Sequence, residues 1–168
     1  MNPLTSAPAR LGVALLVQLV LVGAAVAPQL SARFSGEEYL LRVAPIDPID
    51  PFRGAYVDLG YPDLPLDRLD GSDDRVVDDD EKGTLYVSLV EEAGVWVSSG
   101  TTRERPAGGP YLTCDDGDWR LRCGIESLFL PQDEALALEQ SMAAGEAVAR
   151  VRIDGHGNAA LIAVEAAG

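Results

Sequence analysis

A short polar segment in the first third of the chain contains the residues best suited to chemistry. Asp47 and Asp50 each precede a proline, and proline disfavours helical geometry at the residue before it, so the segment is extended. Arg53 and Tyr56 follow within a few residues. Two carboxylates, a guanidinium and a phenol could form a hydrolytic or ligand-binding site. The structural alternative is that Arg53 pairs with Asp47 or Asp50 and stabilises the bend, because no histidine or recognisable nucleophile accompanies them.

Cys114 and Cys123 are the only cysteines of the chain. An even pair in an exported domain predicts a disulfide, which for a loop of this size stabilises the fold by about 2–3 kcal/mol. If Asp116-Gly117 forms a two-residue turn, however, Cys114 faces Trp119 and not Cys123. The bridge therefore requires a wider loop, and two buried free thiols are the alternative. The spacing is not C-x-x-C, which argues against zinc binding and thiol redox chemistry.

Acidic residues dominate segment 62–82, which we interpret as a loop. Such a segment buries too little apolar surface to offset the entropy lost on ordering it. Carboxylates are the ligands that calcium prefers, but their spacing here lacks the EF-hand pattern. The acidic residues concerned are Asp70, Asp73, Asp74, Asp78, Asp79, Asp80 and Glu81. We expect a solvated loop, with no metal site and no cofactor.

The single histidine and the single lysine are poorly placed for catalysis. His156 lies between two glycines, where we expect it to occupy a turn without a partner for metal or triad chemistry. Lys82 ends the acidic segment, where neighbouring carboxylates favour the charged, non-nucleophilic form of its amine. A serine–lysine protease is therefore disfavoured, and we predict no catalytic residues.

The alternation of apolar and polar residues predicts a mainly β domain over residues 37–168. The predicted strands are residues 37–44, 55–61, 84–90, 94–98, 111–114, 119–130, 147–153 and 159–164. Residues 100–110 are rich in glycine and proline and predict a second loop. Residues 133–144 predict one short C-terminal helix, because acids lie in its first turn and apolar residues recur at helical spacing. We expect a small barrel or sandwich of about six to nine strands, with this helix packed on it.

Residues 11–30 are long and apolar enough to form one transmembrane helix, following a polar tail of residues 1–10. About 20 residues at roughly 1.5 Å each cross the hydrocarbon core of a bilayer. Gln18 is the only strongly polar side chain in the first 17 residues of this run. A cleaved signal peptide is the alternative, because residues 25–27 have the small-x-small pattern of a cleavage site. Pro28 directly after that site fits a peptidase poorly, so we expect a retained anchor.

The charge of the chain limits its partners and its location. The sequence has 13 Lys+Arg against 27 Asp+Glu, a formal net charge of −14, and no acidic residue precedes Glu37. Nucleic acids and anionic lipids both attract basic surfaces, so neither is an expected partner. Basic residues flank both sides of the apolar run, but the short N-terminus and the large acidic remainder favour an inside amino end. We expect a single-pass protein of the cytoplasmic membrane with its C-terminal domain outside the cytoplasm.

One strand carries a recognisable signature. Gly54, Tyr56, Leu59 and Tyr61 have the spacing that resembles the GDYXXLXY family of membrane-anchored bacterial proteins, although Ala55 replaces the aspartate of that pattern. Alternation along the strand places Leu59 and Tyr61 on one face, together with a valine, and Tyr56 on the other.

A second block extends this resemblance towards the C-terminus. Residues 122–131, RCGIESLFLP, are similar to a family block in which a glycine–isoleucine–glutamate strand ends near a proline. Members are often encoded beside, or fused to, polytopic membrane proteins, so the resemblance implies a membrane-protein partner. The family has no settled biochemical role, and the resemblance implies a class of protein but no reaction.

Two functional hypotheses follow from these observations. The first is a non-enzymatic accessory or interaction subunit, held by one membrane helix beside a polytopic membrane protein or an envelope component. The second is a hydrolase or ligand-binding domain with its site around Asp47, Asp50, Arg53 and Tyr56. We favour the first, because the sequence lacks an ordered set of nucleophile, base and orienting group.

Overall fold

The computed structural model describes residues 7–45, 56–66, 82–117, 120–129, 142 and 147–166. These ranges contain one long helix and nine strands. Helix α1 covers Ala7–Ser35. The strands are β1 (Glu37–Arg42), β2 (Ala44–Pro45), β3 (Tyr56–Gly60), β4 (Thr84–Glu92), β5 (Val95–Thr102), β6 (Tyr111–Asp115), β7 (Ser127–Phe129), β8 (Ala147–Ile153) and β9 (Ala159–Ala166).

The strands form three antiparallel sheets of three strands each. Their orders are β1-β8-β9, β2-β3-β7 and β5-β4-β6. This architecture confirms the predicted mainly β domain behind an apolar N-terminal helix. Strands β8 and β9 have the bounds expected from the sequence, except that β9 continues two residues further, to Ala166.

A single apolar core lies between the sheets. Along β8 the buried residues alternate with half-buried ones, and the buried set includes Ala149 and Val151, both fully inaccessible. Strand β4 alternates in the same way, with Val87 fully buried at its centre. Period-two patterns of this kind place one face of each strand in the core, which is why the sequence identified these strands.

The predicted hairpin between residues 84–90 and 94–98 is confirmed, with longer strands than expected. Strands β4 and β5 are joined by Ala93 and Gly94, which both have positive φ, of 52° and 85°. Positive φ at both central residues is typical of the tight turns whose twist matches the flanking strands. The pairing of β4 with β5 continues to Thr102, so the loop predicted at residues 100–110 begins three residues later than expected.

The two-residue turn considered at Asp116-Gly117 does not form, and the wider loop that the disulfide requires is present. Asp115 and Arg122 pair with each other through two backbone hydrogen bonds, of 2.8 and 2.9 Å, so the connection between them spans residues 116–121. This wider loop places Cys114 opposite Cys123, and the two form a disulfide with Cα atoms 4.2 Å apart. The disulfide prediction is confirmed, because the wider loop brings Cys114 opposite Cys123, which a two-residue turn would not do.

Helix α1 continues beyond the predicted anchor and docks on the β domain. Ala32 is fully buried, and Gly36 is the single residue between α1 and β1. The hydroxyl of Ser31 donates a 2.5 Å hydrogen bond to Asp154, and the side-chain amide of Gln29 donates to the Gly124 carbonyl at 3.2 Å. The last two turns of the helix are therefore part of the folded domain, and no flexible tether separates the two.

The remaining predictions have mixed outcomes. The segment expected as loop from residue 62 begins with ordered turns in which Leu64 and Leu66 are buried in the core. In the predicted strand 119–130, Arg122 forms an isolated bridge and residues 127–129 alone form strand β7. The predicted helix at 133–144 lies outside the described residues except for Met142, which is buried.

Candidate functional site

The strand that carries the sequence signature, β3, lies in the middle of its sheet. It pairs with β2 on one side and β7 on the other. Val57, Leu59 and Tyr61 are all buried, which confirms the predicted face, and Asp58 on the opposite face is half-buried. The signature strand therefore contributes chiefly to the core.

Tyr61 connects the signature to the second resembling block. Its hydroxyl donates a 2.7 Å hydrogen bond to the carbonyl of Ile125, a fully buried residue. The Leu59 amide donates to the Glu126 carbonyl at 2.8 Å. The Glu126 carboxylate in turn accepts hydrogen bonds from the backbone amides of Cys123 and Gly124. We call Leu59, Tyr61, Ile125, Glu126 and the disulfide the signature cluster.

The electrostatics of the signature cluster oppose an acid–base role. Burial raises the pKa of Tyr61 far above its ordinary value, and the nearby Glu126 carboxylate raises it further. The hydroxyl therefore keeps its proton at any physiological pH and acts as a hydrogen-bond donor. Because an unmade buried hydrogen bond is costly, this arrangement fixes the position of the Ile125 backbone.

The residues expected to form a carboxylate–guanidinium site are only partly described. Asp47, Asp50, Arg53 and Gly54 lie outside the described residues. The backbone of Tyr56 pairs with Phe129 in the β3–β7 ladder, and the side chain of Tyr56 is outside the description. The hypothesis of a site around these residues stays a prediction.

Comparison with known proteins identifies the chain. The model of the GDYXXLXY protein family matches residues 18–164, which include most of α1 and nearly all of the β domain. The chain belongs to the GDYXXLXY family. Searches of curated proteins and of solved structures each returned no significant match. Within the GDYXXLXY fold described above, Leu59 and Tyr61 of the signature are buried packing residues.

A groove of about 440 Å³ lies where α1 meets the β domain. Sequence analysis did not anticipate it, because its walls come from three separate parts of the GDYXXLXY chain, residues 35–39, 109–111 and 153–155. The polar side chains that line it include Ser35, Glu37, Tyr39, Tyr111 and Asp154. Tyr39 donates a hydrogen bond of 3.1 Å to Glu37, so these two lining groups bond to each other.

Tyr111 and Arg105 brace the wall of this groove. The Arg105 Nε donates to the Tyr111 hydroxyl at 2.7 Å, and both side chains donate to the carbonyl of Gly155, at 2.7 and 3.2 Å. The guanidinium carbon lies 5.8 Å from the centre of the Tyr111 ring, close enough for a cation–π contact. These bonds hold the β8–β9 turn against the glycine-rich loop.

Asp154 organises the β8–β9 turn and receives the end of α1. One carboxylate oxygen accepts from the backbone amides of His156 and Asn158, at 2.8 and 3.0 Å. The other accepts from the Asn158 side chain and from Ser31. Burial alone would raise the pKa of Asp154, but these hydrogen bonds outweigh it and hold the pKa below its ordinary value. His156 lies in this turn, as predicted.

A buried ion pair is the feature that sequence reasoning missed most completely. Asp116 is fully buried, and its carboxylate pairs with the Arg103 guanidinium and accepts from the Gly83 amide at 2.6 Å. Arg103 also donates to the Thr84 carbonyl at 3.2 Å. Among the described residues, no group of three or more His, Cys, Asp or Glu side chains could hold a metal ion.

Proposed function

We propose that this protein is a single-pass membrane-anchored accessory subunit, which presents its β domain to a membrane or envelope partner and catalyses no reaction. The observation that carries the proposal is the junction between α1 and the domain. Because Ala32 is buried and Gly36 alone separates helix from strand, the C-terminal end of α1 is fixed to the domain. Such a junction suits a protein that works by holding a surface in a fixed place.

The lateral surface of α1 supports membrane anchoring. Its segment Arg10–Ser35 is long and apolar enough to cross a membrane, and an 18-residue window of it has a mean hydropathy of 2.3. Its large apolar side chains face outward, as Leu19 does with 73% of its surface exposed. In water such a surface would be costly, whereas hydrocarbon would cover it.

The chemistry of the domain supports a location outside the cytoplasm. A disulfide between Cys114 and Cys123 persists most readily in an oxidising compartment. The net charge of −14 opposes close contact with anionic lipid and favours a partner with a basic surface. We therefore expect the domain to contact a protein and not the lipid surface.

Membrane retention is tested first, on the full chain in its own membranes. We expect the protein to resist extraction by alkaline carbonate, and its intact mass to include the residues before Pro28. A mature protein that begins near Pro28 and appears in the soluble fraction would overturn the proposal.

The partner is tested by affinity purification from detergent-solubilised membranes. We expect one membrane protein to be recovered with the wild type and lost with Arg53→Ala. The matched control is Arg150→Ala, because the Arg150 guanidinium pairs with the half-exposed Glu165 on the neighbouring strand. Equal recovery with all three proteins would show that Arg53 has no part in binding, and no recovery from any of them would contradict the accessory function.

A further inference from the structure

The groove between α1 and the β domain is lined by carboxylates and aromatic rings. Two of its described lining residues, Glu37 and Asp154, carry carboxylates, and none of those described is basic. Tyr39 and Tyr111 contribute the rings. The volume of about 440 Å³ is within the range of sites that bind small ligands. A carboxylate beside aromatic rings attracts an organic cation, through ion pairing and through the negative face of the ring.

The two carboxylates differ in what they offer to a ligand. Asp154 already accepts four hydrogen bonds within the chain, so it contributes negative charge to the groove but no open acceptor. Glu37 is exposed, and the bond that it accepts from Tyr39 occupies one of its two oxygens. Glu37 is therefore the residue that can pair directly with a bound cation.

The aromatic side chains of the groove are held in place by neighbouring rings. Tyr39 packs roughly perpendicular to Trp96, with ring centres 5.0 Å apart, and Tyr111 packs in the same way against Tyr86 at 5.7 Å. The chain itself places a cation against one of them, because the Arg105 guanidinium carbon lies 5.8 Å from the centre of the Tyr111 ring. Tyr111 thus has a cation from within the chain, and Tyr39 is the ring that a ligand would contact.

The groove lies at the level of the lipid headgroups if α1 spans a bilayer as proposed. Ser35 ends α1 and lines the groove. It is five residues beyond Leu30, the end of the apolar run, which corresponds to roughly 8 Å along a helix. The headgroup layer on each side of the hydrocarbon is about 5–8 Å thick. Lysine and arginine side chains near the ends of membrane-spanning helices extend to this level, so a basic side chain of a neighbouring protein can reach the groove.

The charge of the groove favours a protein side chain over a lipid as the source of the cation. The ammonium of an ethanolamine or choline headgroup carries a phosphate with it, which Glu37 and Asp154 would repel. A lysine or arginine has an uncharged stem, which can lie against Tyr39 and Ile153 of the lining. The net charge of −14 adds to the preference for a basic protein partner.

We propose that the groove receives a lysine or arginine side chain from the membrane-proximal segment of a partner protein, with its charged end paired to Glu37 and its stem against Tyr39. This inference rests on the accessory function proposed above and identifies a site through which it operates. A single exposed ion pair contributes little affinity, so the groove would chiefly set the orientation of the partner.

A titration of the full chain in non-ionic detergent tests the chemistry of the groove. The probe is N-acetyl-lysine methylamide, and the control ligand is N-acetyl-norleucine methylamide, which has the same carbon stem without the ammonium. We expect the lysine probe, and not the norleucine one, to shift the NMR signals of the Gly109 and Gly155 amides, which line the groove. Added salt should weaken this binding, because the pair with Glu37 is exposed.

Neutral variants show whether Glu37 is the partner of the cation. Glu37→Gln should weaken binding of the lysine probe by about threefold, the strength of an exposed ion pair. Glu92→Gln is the matched control, because it removes an exposed carboxylate at the end of β4, away from the groove, and should change nothing. Equal shifts with both analogues, an unchanged affinity in Glu37→Gln or no shift at all would overturn the inference. Tighter binding of phosphoethanolamine than of the lysine probe would overturn it in favour of a lipid.

Photo-crosslinking in the membranes of cells that make the protein naturally tests the source of the cation. A photoreactive amino acid replaces Ser35, which lines the groove, or Phe34, which is 83% exposed and is not among the lining residues. We expect an adduct from Ser35 in which mass spectrometry locates the crosslink beside a lysine or arginine of another membrane protein. Its yield should fall about threefold in Glu37→Gln, and Phe34 should give little of it.

The crosslinking separates failure of the groove from failure of the accessory function. Adducts of Ser35 with lipid alone or with a second copy of the chain would overturn the inference. If affinity purification recovers a partner but Ser35 forms no adduct with it, the accessory function stands and the groove is not its contact. An empty purification together with an absence of adducts would reject both, whatever the titration shows.

Discussion

The Tyr61 hydroxyl donates a 2.7 Å hydrogen bond to the carbonyl of Ile125, a residue 64 positions further along the chain. This bond joins the signature strand to the segment that follows the disulfide. Both residues are buried, with 4% and 0% of their surfaces exposed. In this chain the signature residue Tyr61 therefore makes a long-range structural contact, whose strength can be measured.

Tyr61→Phe removes only the hydroxyl and leaves the Ile125 carbonyl without its donor. We expect the free energy of unfolding to fall by about 1–3 kcal/mol, the cost of one unsatisfied buried group. Tyr39→Phe is the matched control, because the Tyr39 hydroxyl bonds to the exposed Glu37 and should cost less than about 0.5 kcal/mol. Urea unfolding of the full chain in detergent measures both. If the two variants lower the free energy of unfolding equally, the buried hydrogen bond contributes no more to stability than the exposed one.

Gly36→Ala should disrupt the junction between α1 and the domain. A Cβ atom at this position would lie 2.4 Å from the Ala32 carbonyl oxygen and 2.9 Å from the Ile153 nitrogen, both backbone atoms. We expect a loss of about 1–3 kcal/mol, as for other overpacked sites, seen as a lower thermal midpoint. Gly155→Ala is the control, since a Cβ there meets nothing within 4 Å. A variant at Gly36 as stable as the one at Gly155 would contradict the docked geometry.

Acid should weaken the docking of α1 through Asp154. Its hydrogen bonds lower the pKa of Asp154 from an ordinary value of 3.8, so the folded state holds the ionised form more strongly than the unfolded state does. The stabilisation that ionised Asp154 provides is complete above its ordinary pKa. It is lost as the pH falls from there through the lower pKa of the folded state. We expect wild-type stability to fall more steeply than that of Asp154→Asn below about pH 4. Parallel pH profiles of the two proteins would refute this role.

Removal of the disulfide should destabilise the domain without changing its fold. The loop closed by Cys114 and Cys123 is short, with a sequence separation of 9, so the chain-entropy model gives about 2–3 kcal/mol. The double variant Cys114→Ala/Cys123→Ala should unfold at a lower urea concentration, and wild type treated with reductant should behave like it. If reductant leaves the wild-type midpoint unchanged, the two thiols are not bridged in the isolated protein.

Local pattern predicted most strands and two of the hairpins but not the connection after β6, and Asp116 shows why. Alternation of apolar residues is a property of each strand, so β4, β8 and β9 could be located from the sequence alone. Asp116-Gly117 has the composition of a tight turn, but the Asp116 carboxylate is drawn inward by Arg103 and by the Gly83 amide. Those partners are 13 and 33 residues away, and no local rule contains them.

The end of α1 shows a second limit of the sequence. Ser31 and Ala32 follow the predicted anchor without a recognisable motif, because the residue that Ser31 contacts lies more than 100 positions later, in the β8–β9 turn. Ser31 bonds to Asp154, 123 positions away. A cluster of small residues after an apolar run was the available signal. The residues proposed for a carboxylate–guanidinium site, 47–53, lie outside the described structure, so that hypothesis remains as the sequence left it.

The single residue between helix and sheet also determines how the molecule can respond to its surroundings. Because Gly36 alone separates α1 from β1, a reorientation of the last turns of the helix must displace strand β1, which pairs with β8. A rotation of those turns would therefore reorient the sheet formed by β1, β8 and β9. If α1 spans a bilayer as proposed, the bilayer and the β domain would each constrain the orientation of the other.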